Sequence, residues 1–384
     1  MIINKLIAKN WRNFQQIDVP LRERQFIVGP NASGKSNLLD IFRFLRDIVK
    51  VDGGGFQKAV KDRGGVSNIQ CLATQNVTEV SLEIHIAETS CSSATWRYGI
   101  GFRRETREDC DAYLTHERVW QEDQLLLDRP DADDTEDPDR LTQTALEQSA
   151  TNAKFREIGK FLRNITYLHL VPQFIRHADK IQGKIIEDDP FGQGFLHRVA
   201  SVHPSTRRSR LRKIEHTLKI AIPQLEKLEF VRDKNTGHPH LQARYEHWNS
   251  THAVHQEDQF SDGMLRLIGL MWSLLENDSI VLLEEPELSL NLGIVAQLAP
   301  LISRMGRDRQ CQMLVSTQSD VLLKEGCIDS SEVHLLLPAN EGTTVMPFSD
   351  FVEVGALLEN GFTIGEVVLS RTRSEKVETL SLVE

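Results

Sequence analysis

RQFIVGPNASGKSNLLDIFRFLRDIVK, residues 24–50, reads as strand, loop and helix. Phe26-Ile27-Val28 is a short apolar run of the kind that forms a buried strand. Leu38, Leu39, Ile41, Phe42, Leu45 and Ile48 recur at helical spacing. Between them Gly29-Pro30-Asn31-Ala32-Ser33-Gly34-Lys35-Ser36, followed by Asn37, fits the pattern GxxxxGK[ST]. The spacing has a chemical reason. Glycines let a loop wrap closely enough for its backbone N–H groups to point at phosphate oxygens. The positive end of the following helix adds to that field. Lys35 supplies a mobile charge for the β- and γ-phosphates, and the Ser36 hydroxyl is a ligand for Mg²⁺. ATP and Mg²⁺ are the expected ligands. The strand before and the helix after distinguish this loop from a chance surface match.

Two further stretches complete the chemistry. Ser279-Ile280-Val281-Leu282-Leu283 is an apolar strand ending in Glu284-Glu285-Pro286-Glu287. Such a strand is expected beside the phosphate loop, with its first acid, Glu284, on the metal side. Its second acid, Glu285, is placed to orient or deprotonate the attacking water. Asp is usual at the first position, and the longer Glu implies contact with Mg²⁺ through water. Upstream, Phe260-Ser261-Asp262-Gly263 precedes Leu265, Ile268, Met271, Trp272 and Leu275, one packed helix face. A serine and a glycine open that helix, where the dipole favours an anion. One ATP needs only the first helix end. The second is explained if it caps the γ-phosphate of ATP held by another copy.

With these motifs the chain resembles the RecF/SMC-like branch of the ABC ATPases, and within it the short-armed prokaryotic AAA-type members related to the ATPase half of OLD nucleases. NWRNF, GPNASGKSNLLD, RGGVSNI, FSDGMLRLIGL, LLEEPE and LVSTQSDVLL carry the likeness, in order, over nearly the whole chain. It implies an α/β fold, a P-loop NTPase with an ABC-type ATPase head: a mixed sheet, an antiparallel β subdomain and a helical signature lobe. One ATPase domain of residues 1–384 is expected, divided into a P-loop lobe (1–105), an inserted helical and β lobe (106–255) and a part with signature, acids and the rest of the sheet (256–384). It also implies that Ser261 and Gly263 act in trans and that dimerisation depends on ATP. Asp262 stands where the usual signature has glycine, and Met264 where Gln is common. Gln318, in Thr317-Gln318-Ser319, stands where the usual switch residue is His. It can hydrogen-bond but cannot carry a proton, so slow hydrolysis is expected. Gln70 and Gln75 both follow the glycine loop as candidates for the family's metal-side glutamine, and Gln70 is preferred.

The surrounding sequence sets the frame. The 384 residues, 40% hydrophobic and 26% charged, are ordinary for a globular protein. No apolar run is long enough to span a bilayer, and Lys5, Lys9 and Arg12 interrupt the apolar start, so a cytoplasmic address with no membrane is expected. Five scattered cysteines without CxxC spacing predict buried thiols. The net charge of −10 argues against a surface that grips DNA all over, although a local patch is allowed. Residues 2–19 read as two strands with a turn near Arg12-Asn13. Residues 52–65 read as a glycine-rich loop, 77–86 and 96–102 as paired strands. Residues 131–140, with six acids, read as a solvent loop. Helices are expected over 141–162 and 206–228, a β-rich segment to His255, and a hairpin at 333–347. Arg207, Arg208, Arg210, Arg212 and Lys213 are five cations in seven residues, more simply a solvated helix face than a phosphate grip. His238, His240, His247, His252 and His255 lack HxxxH spacing and cysteine partners, so zinc is not expected.

On resemblance, the expected role is an ATPase of DNA repair or antiphage defence. Only residues 319–384 follow the switch, so any nuclease or effector is expected to be a separate protein, with a homodimer or higher oligomer as the working unit and DNA possible. The ATPase subunit of a membrane transporter and a nucleotide-gated scaffold with little turnover are the alternatives.

Overall fold

The structure, a computed structural model, describes residues 1–74, 79–104, 112–178, 188–246, 253–276, 279–324 and 326–372. Three sheets organise them. In the first, β1 (Ile2–Trp11) and β2 (Phe14–Pro20) form the expected hairpin, with Arg12 in left-handed backbone. β4 (Glu79–Ala87), β5 (Trp96–Arg104), β6 (Ala112–Gln121) and β7 (Gln124–Arg129) continue it, all antiparallel, in the order β2-β1-β4-β5-β6-β7.

The second sheet carries the phosphate loop. Its order is β15-β14-β3-β13-β12-β8, from β3 (Arg24–Val28), β8 (Thr166–Leu168), β12 (Ile280–Glu284), β13 (Gln312–Thr317), β14 (Val333–Ala339) and β15 (Gly342–Pro347). Only β15 runs antiparallel to its neighbour, so the sheet is mixed. β12 does not pair with β3, as a strand directly beside the loop would; β13 lies between them. Parallel registry still aligns their ends, with Val28 opposite Thr317 and Ser316 opposite Glu284. The phosphate loop, Gln318 and Glu284-Glu285 therefore leave the sheet at one edge.

Both faces of this sheet are covered, which is why its strands read as apolar runs without polar alternation. The period of two divides them between two cores. Ile27, Ile280, Leu282 and Leu314 pack with the helix Lys35–Ile48 and the first sheet. Phe26, Val28, Val281, Leu283, Met313 and Val315 pack with the helix Asp262–Glu276. Trp11, Phe44, Phe102 and Phe56 form a chain of ring contacts 5.3–5.5 Å apart that fastens the loop helix to the first sheet. The third sheet, β9 (Leu225–Arg232), β10 (Pro239–Tyr245) and β11 (Ala253–Gln256), is antiparallel, and β9 packs against the helix Pro204–Ala221.

Four local expectations change. Within 52–65, Phe56–Lys61 is a helix, whose first N–H donates to Glu147 Oε2 at 2.6 Å. The acidic stretch 131–140 is folded onto the first sheet. Ala132–Glu136 is a helix with a capping box from Asp131 and Asp134, and Arg129 binds the buried Asp134 through two hydrogen bonds. In 141–162 the α-helix is confined to Arg156–Arg163. The helix begun near 206 stops at Ala221, before Pro223, and β9 takes the rest. None of the four described cysteines is in a disulfide; Cys71 and Cys311 are buried as expected, whereas Cys91 and Cys327 are exposed. Among the described residues no His, Cys, Asp and Glu group is arranged for a metal ion. His240 instead pairs with Glu257, while His247 and His252 lie outside the described residues, as does Gln75. No described helix is long and apolar enough to cross a membrane.

Candidate functional site

The phosphate loop is built from conformations few residues tolerate. Gly34 has φ 96°, and a Cβ there would collide with the Asn13 side chain. A Cβ on Gly29 would lie 2.5 Å from Ser33 Oγ and 3.0 Å from the Leu336 carbonyl oxygen. Asn31 and Ala32 are exposed at the tip, Ala32 with φ 62°. The helix begins at Lys35 with no side-chain cap, which suits an anionic ligand at its first N–H groups. Asn13, in the β1–β2 turn, holds the loop from outside. Its Nδ2 donates to the Ser33 carbonyl at 2.9 Å and to Thr343 Oγ1 at 2.8 Å, and its Oδ1 accepts from Asn37 Nδ2 at 2.9 Å. Asn37 thus supports the loop from behind, where Trp11 Nε1 also donates to its carbonyl.

The charged groups converge at the sheet edge. Ser36 Oγ donates to Glu284 Oε1 at 2.5 Å, and Tyr167 of β8 donates to Glu284 Oε2 at 2.5 Å. Burial and Glu284 push the Tyr167 phenol far above its ordinary range, and Arg43 lies over its ring at 4.2 Å. Lys35 Nζ donates to the carbonyls of Gly29 (2.9 Å) and Pro30 (3.1 Å) and lies 4.0 Å from Glu285 Oε1. Burial draws Lys35 below the usual lysine range against the pull of Glu285, Glu287 and Glu284. Glu285 has left-handed backbone, φ 45°, a strained conformation for a non-glycine residue. Glu287 is buried beneath it and accepts from Thr317 Oγ1 and, at 3.4 Å, from the Gln318 N–H. Burial raises its carboxyl. The Gln318 side chain is exposed. A hydroxyl and a carboxylate meeting beside an uncapped helix end form an all-oxygen donor set of the kind Mg²⁺ takes. Gln70 ends the helix Val66–Ile69 near the β1–β2 turn, where Arg12 N–H donates to the Ile69 carbonyl at 2.5 Å.

At the second helix end, Ser261 Oγ accepts from the Met264 N–H at 3.3 Å. Asp262 Oδ1 pairs with Arg176 Nη2 at 2.5 Å, and Oδ2 accepts from Gln173 Nε2 at 3.0 Å. A Cβ on Gly263 would lie 3.0 Å from the Ser289 carbonyl oxygen, so only glycine lets this turn approach the chain after Glu287 without a shift. One helical turn on, buried Arg266 donates to the Glu285 carbonyl at 3.4 Å.

Residues 26–324, well over half of the chain, match the family described as "AAA domain, putative AbiEii toxin, Type IV TA system". The chain belongs to this AAA family. No curated protein matches it at a significant level. Two similar solved structures are SMC heads. The SmcHead bound to the C-winged helix domain of ScpA aligns with a TM-score of 0.54 and 13% identity, over 90% of this chain and 98% of that one. The Smc head domain with an extended coiled coil bound to the C-terminal domain of ScpA, derived from Pyrococcus furiosus, aligns at 0.50 and 13%, over 94% and 99%. At 13% identity these likenesses show the fold alone, that of an SMC head domain.

In this AAA chain the motifs point to Gly29 to Asn37, Glu284, Glu285 and Gln318, which lie at one sheet edge, and to Ser261 to Gly263, which open the second helix. They did not locate Asn13, Tyr167, Arg176, Arg266 or Glu287. Glu287 stands inside the quoted acidic run and Asn13 inside NWRNF, so both carried a signal of place without one of role. Tyr167 and Arg176 come from 106–255 and act through contacts over 80 residues away in sequence. Phe14 is core and Arg12 pairs with Asp40 at 3.0 Å. In the arginine cluster, Arg207 is tied to the carbonyls of Val199, Ala200 and Val202, and Arg210 lies 3.5 Å from Glu276. Arg208, Arg212 and Lys213 stay exposed.

Proposed function

We propose that this chain binds Mg²⁺-ATP on Gly29 to Ser36 and hydrolyses it when a second copy presents Ser261 and Gly263 to the γ-phosphate. The observation that carries the reading is the meeting of Ser36 with Glu284 at 2.5 Å and of Lys35 with Glu285 at 4.0 Å at one sheet edge. Lys35 binds the terminal phosphates. Ser36 and Glu284, with Gln70 proposed as a further ligand, would hold Mg²⁺, which would supply charge neutralisation along the polyphosphate. Glu285 orients a water and accepts its proton as the water's oxygen bonds to the γ-phosphorus and ADP leaves. The strain at Glu285 and the burial of Glu287 beneath it support a preorganised base. Gln318, hooked to Glu287 through its backbone, senses the γ-phosphate without carrying a proton, so turnover is slow.

Closure and opening of two copies make the chain a switch. Its setting in this proposal is antiphage defence or DNA repair in the cytoplasm, acting with a separate nuclease or effector. The family description, which names a toxin of type IV systems, and the SMC heads' binding of another protein both support a partnered switch.

Phosphate release from ATP by wild type, Lys35→Ala and Glu285→Gln tests this. Slow release by wild type is expected, lost in both variants, with ATP still bound by Glu285→Gln and not by Lys35→Ala. Equal release by all three would assign the activity to a contaminant and overturn the reading. Binding without release by wild type would leave a nucleotide-gated scaffold.

A further inference from the structure

We infer that Arg176 is a positioning residue that neutralises Asp262 so that the signature helix can accept another copy's ATP; the inference rests on the ATP-dependent assembly proposed above. The signature helix, Asp262–Glu276, is of use to a polyphosphate because its N-terminus is positive. Asp262 puts a carboxylate in the first turn of that helix, between Ser261 and Gly263. Unpaired, it would repel the incoming γ-phosphate at close range.

The fold supplies the answer from the inserted segment. Arg176 Nη2 lies 2.5 Å from Asp262 Oδ1, and Gln173 Nε2 donates to Oδ2 at 3.0 Å, so both oxygens are engaged by one short helix, Pro172–Arg176. The same Arg176 nitrogen donates to the Phe260 carbonyl at 2.6 Å and so fixes the backbone entering Ser261. The side chains of Arg176 and Asp262 are 19% and 35% exposed, shielded enough for the pair to matter and open enough to meet a ligand. Arg266 is directed to the Glu285 carbonyl and feels the Asp262 carboxylate only through space, so Arg176 is the cation that contacts it. Gly263 completes the device, because its bare backbone approaches Ser289 where a side chain would push the helix end away.

The test measures Mg²⁺-ATP-driven self-association by light scattering in a Glu285→Gln background, adding Arg176→Ala, the double change Arg176→Ala with Asp262→Gly, and Gln173→Glu. Binding of fluorescent ATP to dilute protein serves as a control for the phosphate loop. Arg176→Ala should need about tenfold or more protein for half-assembly, because each of two sites gains an unpaired charge near phosphate. The double change should recover most of that loss. Gln173→Glu leaves the Phe260 contact and the fold alone, adds a second carboxylate beside the first, and should also weaken assembly. If the background protein binds ATP without associating, the assembly reading itself fails. If it associates and Arg176→Ala and Gln173→Glu behave like it, the inference is overturned. If Arg176→Ala is defective and the double change equally so, Arg176 acts through the Phe260 carbonyl and the charge argument is wrong.

Discussion

Arg129→Met isolates the group that turns an acidic stretch into structure. Arg129 is 3% exposed and faces the fully buried carboxylates of Glu117 and Asp134. It makes two hydrogen bonds to Asp134 and one each to Glu117 and the carbonyls of Gln143 and Arg140. Methionine fills similar space and removes the cation. Breaking a buried pair from one side costs about 3–5 kcal/mol. Here two acids lose one cation, so about 5 kcal/mol is expected at pH 8. The pH dependence identifies the cause. In wild type, burial would raise Asp134, but Arg129 and the Asp131 N–H hold it low. Burial holds Glu117 high even beside Arg129, and without Arg129 Asp134 joins it above its unfolded value. The variant's deficit is then small below about pH 4, where both states are protonated, and grows as pH rises through the raised native values. Urea unfolding at pH 4.5 and pH 8, followed by tryptophan fluorescence, measures this. A deficit under about 1 kcal/mol, flat with pH, would mean that residues 131–142 are a solvated loop.

Glu147 carries a second pH signature: burial raises its carboxyl from 4.5 to about 7. A raised native acid stabilises below its unfolded value, and that contribution is lost as pH rises through 7. Glu147→Gln should therefore remove up to about 3 kcal/mol of the stability lost between pH 5 and pH 8, less what solvent screens; unchanged slopes in urea unfolding would refute it. Asn13→Ala removes three side-chain hydrogen bonds around the loop. It should weaken ATP binding about tenfold with little loss of helix signal, and calorimetry showing wild-type affinity would refute that. Tyr167→Phe frees one oxygen of Glu284. The Mg²⁺ needed for half-maximal phosphate release should rise several-fold while metal-free ATP binding stays constant; a shift in the latter alone would place Tyr167 elsewhere.

What could be read from the sequence was local or periodic. Phe26 to Ile48 combined a strand, a glycine loop and a helical stripe, and Ile280 to Glu285 an apolar run with an abrupt acidic end. Both patterns require only neighbours in the chain. Some missed features were readable by the same rules: Phe56, Ala59 and Val60 have helical spacing, and Pro223 marks the helix end after Ala221. Others were not. Six acids in ten residues look solvated until Arg129, at the end of β7 just before them, is pinned to Glu117 of β6 and holds Asp134 with it. The polar pattern of β6 hides a strand whose register with β5 shifts between Gly101 and Phe102. Tyr167 on Glu284 and Arg176 on Asp262 join segments whose proximity follows from sheet order, which no single stretch encodes.

Whether ATP on one copy is completed by the signature of another is decided by the solution mass of Glu285→Gln protein with and without Mg²⁺-ATP. A rise from one protomer to two is expected, one that requires Lys35 and is lost in Ser261→Arg. A mass unchanged by Mg²⁺-ATP, at a concentration where the nucleotide is demonstrably bound, would contradict it.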